Sequence, residues 1–117
     1  KQGKNDAHAE RQRQYEERQA RREERARKNE EWQERQNAFI ETMEEKIERW
    51  QRTLEKLESN LDTLRDKFMD ARSDNYRERV EAWIDECAEK IDLFESRIRD
   101  GREKRDNAIE RLRDNSR

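Results

Sequence analysis

The chain has 117 residues, of which 51% are charged and 28% hydrophobic, and its formal net charge is −2. This composition excludes an ordinary globular domain, in which roughly 25% of residues are charged and about half are apolar. Proline is absent and only two glycines occur, so almost nothing interrupts a helix. The remaining possibilities are a disordered chain and long helices, and sustained apolar heptads favour helix beyond residue 38.

The single cysteine, Cys87, excludes an intramolecular disulfide and a zinc cluster. A lone thiol suits a reducing compartment, so we favour the cytoplasm, although the sequence leaves the location open. No apolar run approaches the ~20 residues of a membrane span, and no signal-peptide core is present, so we expect no membrane partner. The sequence begins at Lys1 rather than Met, which leaves open a fragment, a processed form or the ordered part of a longer protein.

The first segment of the chain has no apolar anchor. Residues 1–9 are predicted to be a frayed tail, in which Asp6 is a candidate helix cap. Residues 10–37 consist almost wholly of Glu, Arg, Gln and Ala, which favour helix. This stretch resembles in composition the charged single-helix extensions of coiled-coil proteins, and we predict a charged single-helix arm there.

Opposite charges recur four residues apart along this arm and support an exposed helix. The pairs are Glu17 with Arg21, Glu23 with Arg27, Glu24 with Lys28, and Glu31 with Arg35. We therefore predict a solvated arm. The alternative is an arm that docks onto a partner through Tyr15 and Trp32.

An unbroken heptad pattern runs from residue 40 to residue 68. Its apolar residues are spaced alternately by three and four, which is typical of the a and d positions of a coiled coil. The a positions are Ile40, Ile47, Leu54, Leu61 and Phe68, and the d positions are Met43, Trp50, Leu57 and Leu64. Because the pattern continues through Ser59 and Asn60, no turn is predicted there.

A second apolar seam comes after a turn predicted at residues 71–76, where Ser73 or Asp74 is the candidate N-cap of a new helix. The seam comprises Val80, Ile84, Cys87, Ile91, Phe94, Ile98, Gly101, Arg105, Ala108 and Leu112. Two seams joined by a short turn predict an antiparallel coiled-coil helical hairpin over residues 38–117.

Matching the two seams across the turn predicts a register. Leu61 faces Cys87, and Gly101 lies beside Ile47, so that a small residue meets a large one. Arg105 is expected to reach outward to an acidic side chain of the first helix. The candidates are Glu41, Glu44 and Glu48.

Four aromatic residues lie off the main seam in two pairs one heptad apart: Trp32 with Phe39, and Tyr76 with Trp83. Aromatic residues at heptad spacing suggest a second interface. A lone hairpin also covers only one side of each seam, and small scaffolds commonly recruit oligomerisation. We therefore predict a homo-oligomer, such as a four-helix bundle or a larger assembly.

No residue pattern indicates an enzyme. His8 is the only histidine and lies in the predicted tail, while Cys87 occupies a d position without a histidine to activate it. No Gly-rich phosphate loop is present. We predict no catalytic residue and no cofactor.

One stretch partly matches a calcium-binding loop. Asp70, Asp74, Glu78 and Glu81 fall at positions 1, 5, 9 and 12 of an EF-hand-like loop. Arg72 at position 3 and Asn75 at position 6 fit poorly. A plain hairpin turn is the preferred interpretation, and no metal site is predicted.

The resulting hypothesis is an all-α protein, a long helix plus a coiled-coil hairpin, with a structural or scaffolding function through protein binding. Its predicted seam contacts are Ile40, Ile47, Trp50, Leu54, Leu57, Leu61, Leu64, Phe68, Ile84, Ile91, Phe94 and Ile98, and its second face comprises Trp32, Phe39, Tyr76 and Trp83.

The alternative function is nucleic-acid association through two basic ends of the chain, because clustered Lys and Arg neutralise phosphates. The arm supplies Arg11, Arg13, Arg18, Arg21, Arg22, Arg25, Arg27 and Lys28, and the C-terminal end supplies Arg97, Arg99, Arg102, Lys104, Arg105, Arg111 and Arg113. Five glutamates lie among the basic residues within residues 10–28 of the arm, which disfavours this alternative.

Overall fold

The computed structural model describes residues 2–116 as two helices that form a hairpin. Helix α1 spans Gln2–Asp70 and helix α2 spans Asp74–Asn115, with no strand in the described part. The predicted all-α fold with a helical hairpin is therefore confirmed. The chain divides into two units, Lys1–Asn37 and Ala38–Arg117, which are described separately.

Helix α1 begins earlier than expected. The tail predicted for residues 1–9 is helical from Gln2 onward, and Asp6 lies inside the helix rather than at its cap. Lys1 lies outside the described residues. The extension has a simple reason, since adding one residue to an existing helix needs no new nucleation and proline is absent.

The first unit is a helix with exposed side chains over residues 3–31. Glu24 and Lys28 form the predicted ion pair at 3.3 Å. Arg27 pairs with Glu31 at 3.9 Å, whereas the sequence pattern paired it with Glu23. Exposed pairs of this kind contribute only about 0.2–0.5 kcal/mol each. None of residues 3–37 is buried, so this part of the first unit has no packed core of its own.

Helix α1 continues through Ser59 and Asn60, as the heptad pattern predicted. Two threonine hydroxyls on this part of the helix donate hydrogen bonds to carbonyls one turn back. Thr53 Oγ1 lies 3.1 Å from the carbonyl oxygen of Arg49, and Thr63 Oγ1 lies 3.2 Å from that of Ser59. Each hydroxyl therefore has a hydrogen-bond partner within its own helix.

The turn between the helices is capped by Ser73, one of the two predicted residues. Its backbone is extended, with φ −115° and ψ 145°, and its Oγ accepts a hydrogen bond from the Tyr76 amide at 3.2 Å. A serine at this position satisfies an amide that the helix itself leaves unpaired. The turn needs no glycine, since no described residue has a positive φ.

Arg77, in the first turn of α2, contacts both the connecting turn and α1. Its Nη2 donates a hydrogen bond to the Ala71 carbonyl at 3.0 Å. Its guanidinium carbon also lies 5.6 Å from the centre of the Phe68 ring, within cation–π range. Ala71 itself is buried, so the connection is packed onto the hairpin.

The core of the second unit is a narrow stripe along the two seams. Met43, Ile47 and Ile98 form a buried cluster, against which Trp50 and Leu54 pack. Among the described residues no buried side chain is polar or charged. The stripe is therefore an apolar core of the kind that the heptad pattern predicts.

The two helices contribute unequally to this stripe. Six seam positions of α2 are buried: Val80, Cys87, Ile91, Ile98, Gly101 and Ala108. On α1 only Met43 and Ile47 are buried, and the remaining seam residues are half-buried. Val80 and Ala108 of α2 are 0% exposed, whereas Trp50 and Leu54 of α1 remain partly accessible.

Gly101 lies where the register placed it. A Cβ on Gly101 would lie 3.0 Å from Trp50 Cζ3 and 3.2 Å from Ile47 Cγ1. Cys87 donates a hydrogen bond from Sγ to the Leu57 carbonyl at 3.3 Å, one turn from the Leu61 that the register placed opposite it. A residue further along α2 therefore contacts a residue with a lower number on α1.

The expected partners of Arg105 on α1 are wrong. Its Nε lies 3.1 Å from Oδ1 of Asp106, the next residue of its own helix. An adjacent carboxylate satisfies the guanidinium without the ordering of a long side chain across the hairpin.

Candidate interaction surfaces

The first candidate surface is the open side of the α1 seam. Every α1 seam residue after Ile47 is only half-buried. The members are Trp50, Leu54, Leu57, Leu61, Leu64 and Phe68. On α2, Ile84 and Phe94 are also half-buried, whereas Ile91 and Ile98 are buried. Two helices alone therefore leave much of the predicted contact set accessible.

The second candidate surface is the set of off-seam aromatics of the second unit, in which Trp83 is 45% exposed, Phe39 41% and Tyr76 38%. Trp32, in the first unit, is half-buried. Large apolar side chains that stay this exposed are candidates for contact with another molecule. Trp83 also lines a shallow groove with Leu57.

Sequence reasoning missed a larger groove on the hairpin. Its volume is about 960 Å³. Leu54 and Ile98 provide apolar side chains, and acidic residues from both helices stand beside them, including Glu58 and Glu95. Arg99 is among the basic residues that also line it.

The two grooves reveal which residues share a side of the hairpin. Apart from the seam residues Leu54 and Ile98, the larger groove is lined mostly by residues that come directly after seam residues, such as Glu58 on α1 and Glu95 on α2; Glu103 and Asn107 are the exceptions. The smaller groove is lined by residues that directly precede them, such as Asn60 on α1 and Lys90 on α2. The residues before and after the seam residues therefore form two separate flanks of the hairpin.

The structure locates the residues that the sequence offered for metal binding and nucleophilic chemistry. No group of three or more His, Cys, Asp or Glu side chains within them is arranged to hold a metal ion. In the EF-hand-like match, residues 74–81 lie in α2, so the loop that would wrap a cation is not formed. The Cys87 thiol is buried against the Leu57 carbonyl, and His8 is exposed.

The basic arm is the candidate nucleic-acid surface. Arg18, Arg21, Arg22 and Arg25 are exposed and line one small depression on α1. Four guanidinium groups along two helical turns form a local positive patch.

The chain matches no protein family, no curated protein and no solved structure. Neither helix, over the residues described, has the length of apolar sequence that crossing a bilayer requires.

Proposed function

We propose that the protein is a structural, scaffolding protein that acts by association with further copies of itself. The observation that carries the proposal is the incomplete burial of the hairpin. Among the described large side chains, only Val80 is less than 2% exposed. A second copy would cover the half-buried seam and the off-seam aromatics together.

The mechanism is the burial of apolar surface, with charges deciding the alignment. Roughly half of the Trp83 side chain is exposed, and burying it in an interface contributes about 2 kcal/mol at 25 cal/mol per Å². Aromatic residues are also the commonest energetic anchors of interfaces. Charged residues beside the seam then favour one partner and one register over others.

Sedimentation equilibrium of single-residue variants tests this proposal. We expect Trp83→Ser and Phe39→Ser each to raise the dissociation constant of self-association about tenfold or more. Tyr15→Ser is the matched control, because Tyr15 is 62% exposed and lies in the first unit. Circular dichroism verifies that each variant keeps its helices. Unchanged association in both test variants would remove these side chains from the interface.

The second candidate function is nucleic-acid association, favoured by the depression that Arg18, Arg21, Arg22 and Arg25 line. Phosphate contacts make binding strongly dependent on salt. The test is retention of a nucleic-acid duplex at low salt by the unmodified chain, compared with the variant in which Arg21, Arg22 and Arg25 are replaced by Gln. Equal retention by both proteins excludes the arm as the binding surface.

A further inference from the structure

The two flanks of the hairpin carry opposite charge. One flank, here called the acidic flank, consists of the residues that come directly after a seam residue. Its charged members are Glu41, Glu44, Glu48, Glu55, Glu58, Asp62, Glu81, Asp85, Asp92, Glu95 and Asp106, against Arg65, Arg99, Arg102 and Arg113. This flank has a formal charge of −7.

The other flank, here called the basic flank, consists of the residues that directly precede a seam residue. Its charged members are Lys46, Arg49, Lys56, Lys67, Arg79, Lys90, Arg97, Lys104 and Arg111, against Glu86 and Asp100. This flank has a formal charge of +7. The near-zero net charge of the chain therefore hides a separation of charge across the hairpin.

Ion pairs within the hairpin do little to neutralise this charge. Besides Arg105 with Asp106, Glu48 pairs with Arg52 at 3.5 Å and Lys90 pairs with Glu86 at 3.6 Å. The side chains of Glu48, Arg52, Lys90 and Glu86 are more than half exposed, so their pairs contribute little. The two flanks thus present opposite potentials to a neighbouring molecule.

The two flanks also differ in their apolar features. The basic flank carries the exposed Trp83 and Phe39. The acidic flank carries the groove of about 960 Å³, in which Leu54 and Ile98 supply apolar surface beside Glu58. The exposed aromatic side chains and the larger groove therefore lie on flanks of opposite charge of the same molecule.

We infer that self-association is heterologous: the basic flank of one copy docks on the acidic flank of the next. This inference rests on the proposed self-association and adds its geometry. A symmetric pairing of two basic flanks would oppose like charges, and so would a pairing of two acidic flanks. A contact between unlike flanks leaves a free basic flank on one outer copy and a free acidic flank on the other, so the assembly grows by repeated addition.

Two charge-reversal variants test the pairing. The first replaces Glu55, Glu58 and Glu95 by Lys, which reverses part of the acidic flank beside the groove. The second replaces Lys46, Lys67 and Lys104 by Glu on the basic flank. All six side chains are exposed and take part in none of the ion pairs described above.

Each variant alone should associate more weakly than the unmodified chain, with a dissociation constant raised about tenfold or more at low salt, since three reversals reduce the formal charge of the altered flank from −7 to −1 or from +7 to +1. An equimolar mixture of the two variants should associate again, because each supplies the flank that the other lacks. A matched control for the first variant replaces Glu45, Asp66 and Glu89 by Lys, which raises the net charge by the same amount but lies outside both flanks. The control should retain association to within about threefold.

The outcomes separate this inference from the proposed function. A monomeric unmodified chain overturns both. If the unmodified chain associates, three results each overturn heterologous docking and leave self-association intact. These results are flank variants that associate as strongly as the unmodified chain, a control that is weakened as much as the variants, and a mixture of the two variants that stays monomeric. If circular dichroism shows that a variant loses helix, the salt dependence of self-association by the unmodified chain tests the inference instead. Weakening between about 50 and 500 mM salt supports the flank pairing, and constant affinity overturns it.

Discussion

Single residues show how a very polar chain still forms a close contact between two helices. Gly101 allows α2 to approach Trp50 and Ile47 so closely that even one added carbon atom lies within 3.0–3.2 Å of both side chains. Glycine is otherwise unfavourable inside a helix by about 1 kcal/mol relative to alanine. Its presence in the middle of α2 is therefore explained by packing rather than by backbone conformation.

Replacing Gly101 by Ala should destabilise the hairpin by about 1 kcal/mol. Overpacking costs about 1–3 kcal/mol, and the better helix propensity of alanine offsets about 1 kcal/mol of this. Met43 Sδ, at 3.4 Å from the added carbon, restricts a third side of the site. Urea unfolding followed by circular dichroism measures the change.

The matched control is Gly3→Ala, because a Cβ at Gly3 meets no atom within 4 Å. This substitution should leave the stability unchanged or raise it slightly. If Gly101→Ala stabilised the protein as much as the control does, the close packing of α2 against Trp50 and Ile47 would be contradicted.

At this scale the sequence predicted seam contacts better than polar ones. Gly101 beside Ile47 could be inferred from heptad spacing, because the spacing fixes which residues lie in the seam once the helices face each other. The partner of Arg105 could not, because a flexible guanidinium can choose among many nearby carboxylates at nearly equal free energy.

At the level of elements, the turn from α1 to α2 depends on local hydrogen bonds. Ser73 caps the first turn of α2, and Arg77 bonds the Ala71 carbonyl while lying over Phe68. A chain without glycine in this turn therefore reverses its direction through capping and cation–π contacts.

Replacing Ser73 by Ala should lower the free energy of unfolding by about 1 kcal/mol, since the Tyr76 amide loses its acceptor. Ser73→Asp should retain most of the stability, because a carboxylate also accepts this bond and favours a helix N-terminus. Thermal unfolding monitored by circular dichroism provides the measurement.

The same substitution inside a helix serves as the control. Ser59→Ala should be neutral or slightly stabilising, because Ser59 lies within α1 and alanine is the better helix former. Equal effects at both serines would show that the cap contributes nothing to the stability of the hairpin.

The helices and their turn were predictable from sequence because heptad spacing and cap residues are local signals. The start of α1 was not, since residues 2–9 carry no apolar anchor and are helical only as an extension of the helix that continues after them. The charge separation between the flanks was present in the sequence as well. It becomes visible when the residues before and after each seam residue are read as separate rows.

At the level of the whole molecule, the core is too narrow to bury all the apolar side chains of the hairpin. The α1 seam beyond Ile47 is half-buried, and Trp83 and Phe39 remain exposed on the basic flank. Isolated small scaffolds of this kind are commonly stabilised by association with another chain. Self-association would thus provide the remaining apolar burial.

Sedimentation equilibrium of the unmodified chain at low salt tests self-association most directly. We predict, at tens of micromolar, a mass above the 14.6 kDa of one chain that rises with protein concentration. A single species of 14.6 kDa across that concentration range would contradict it.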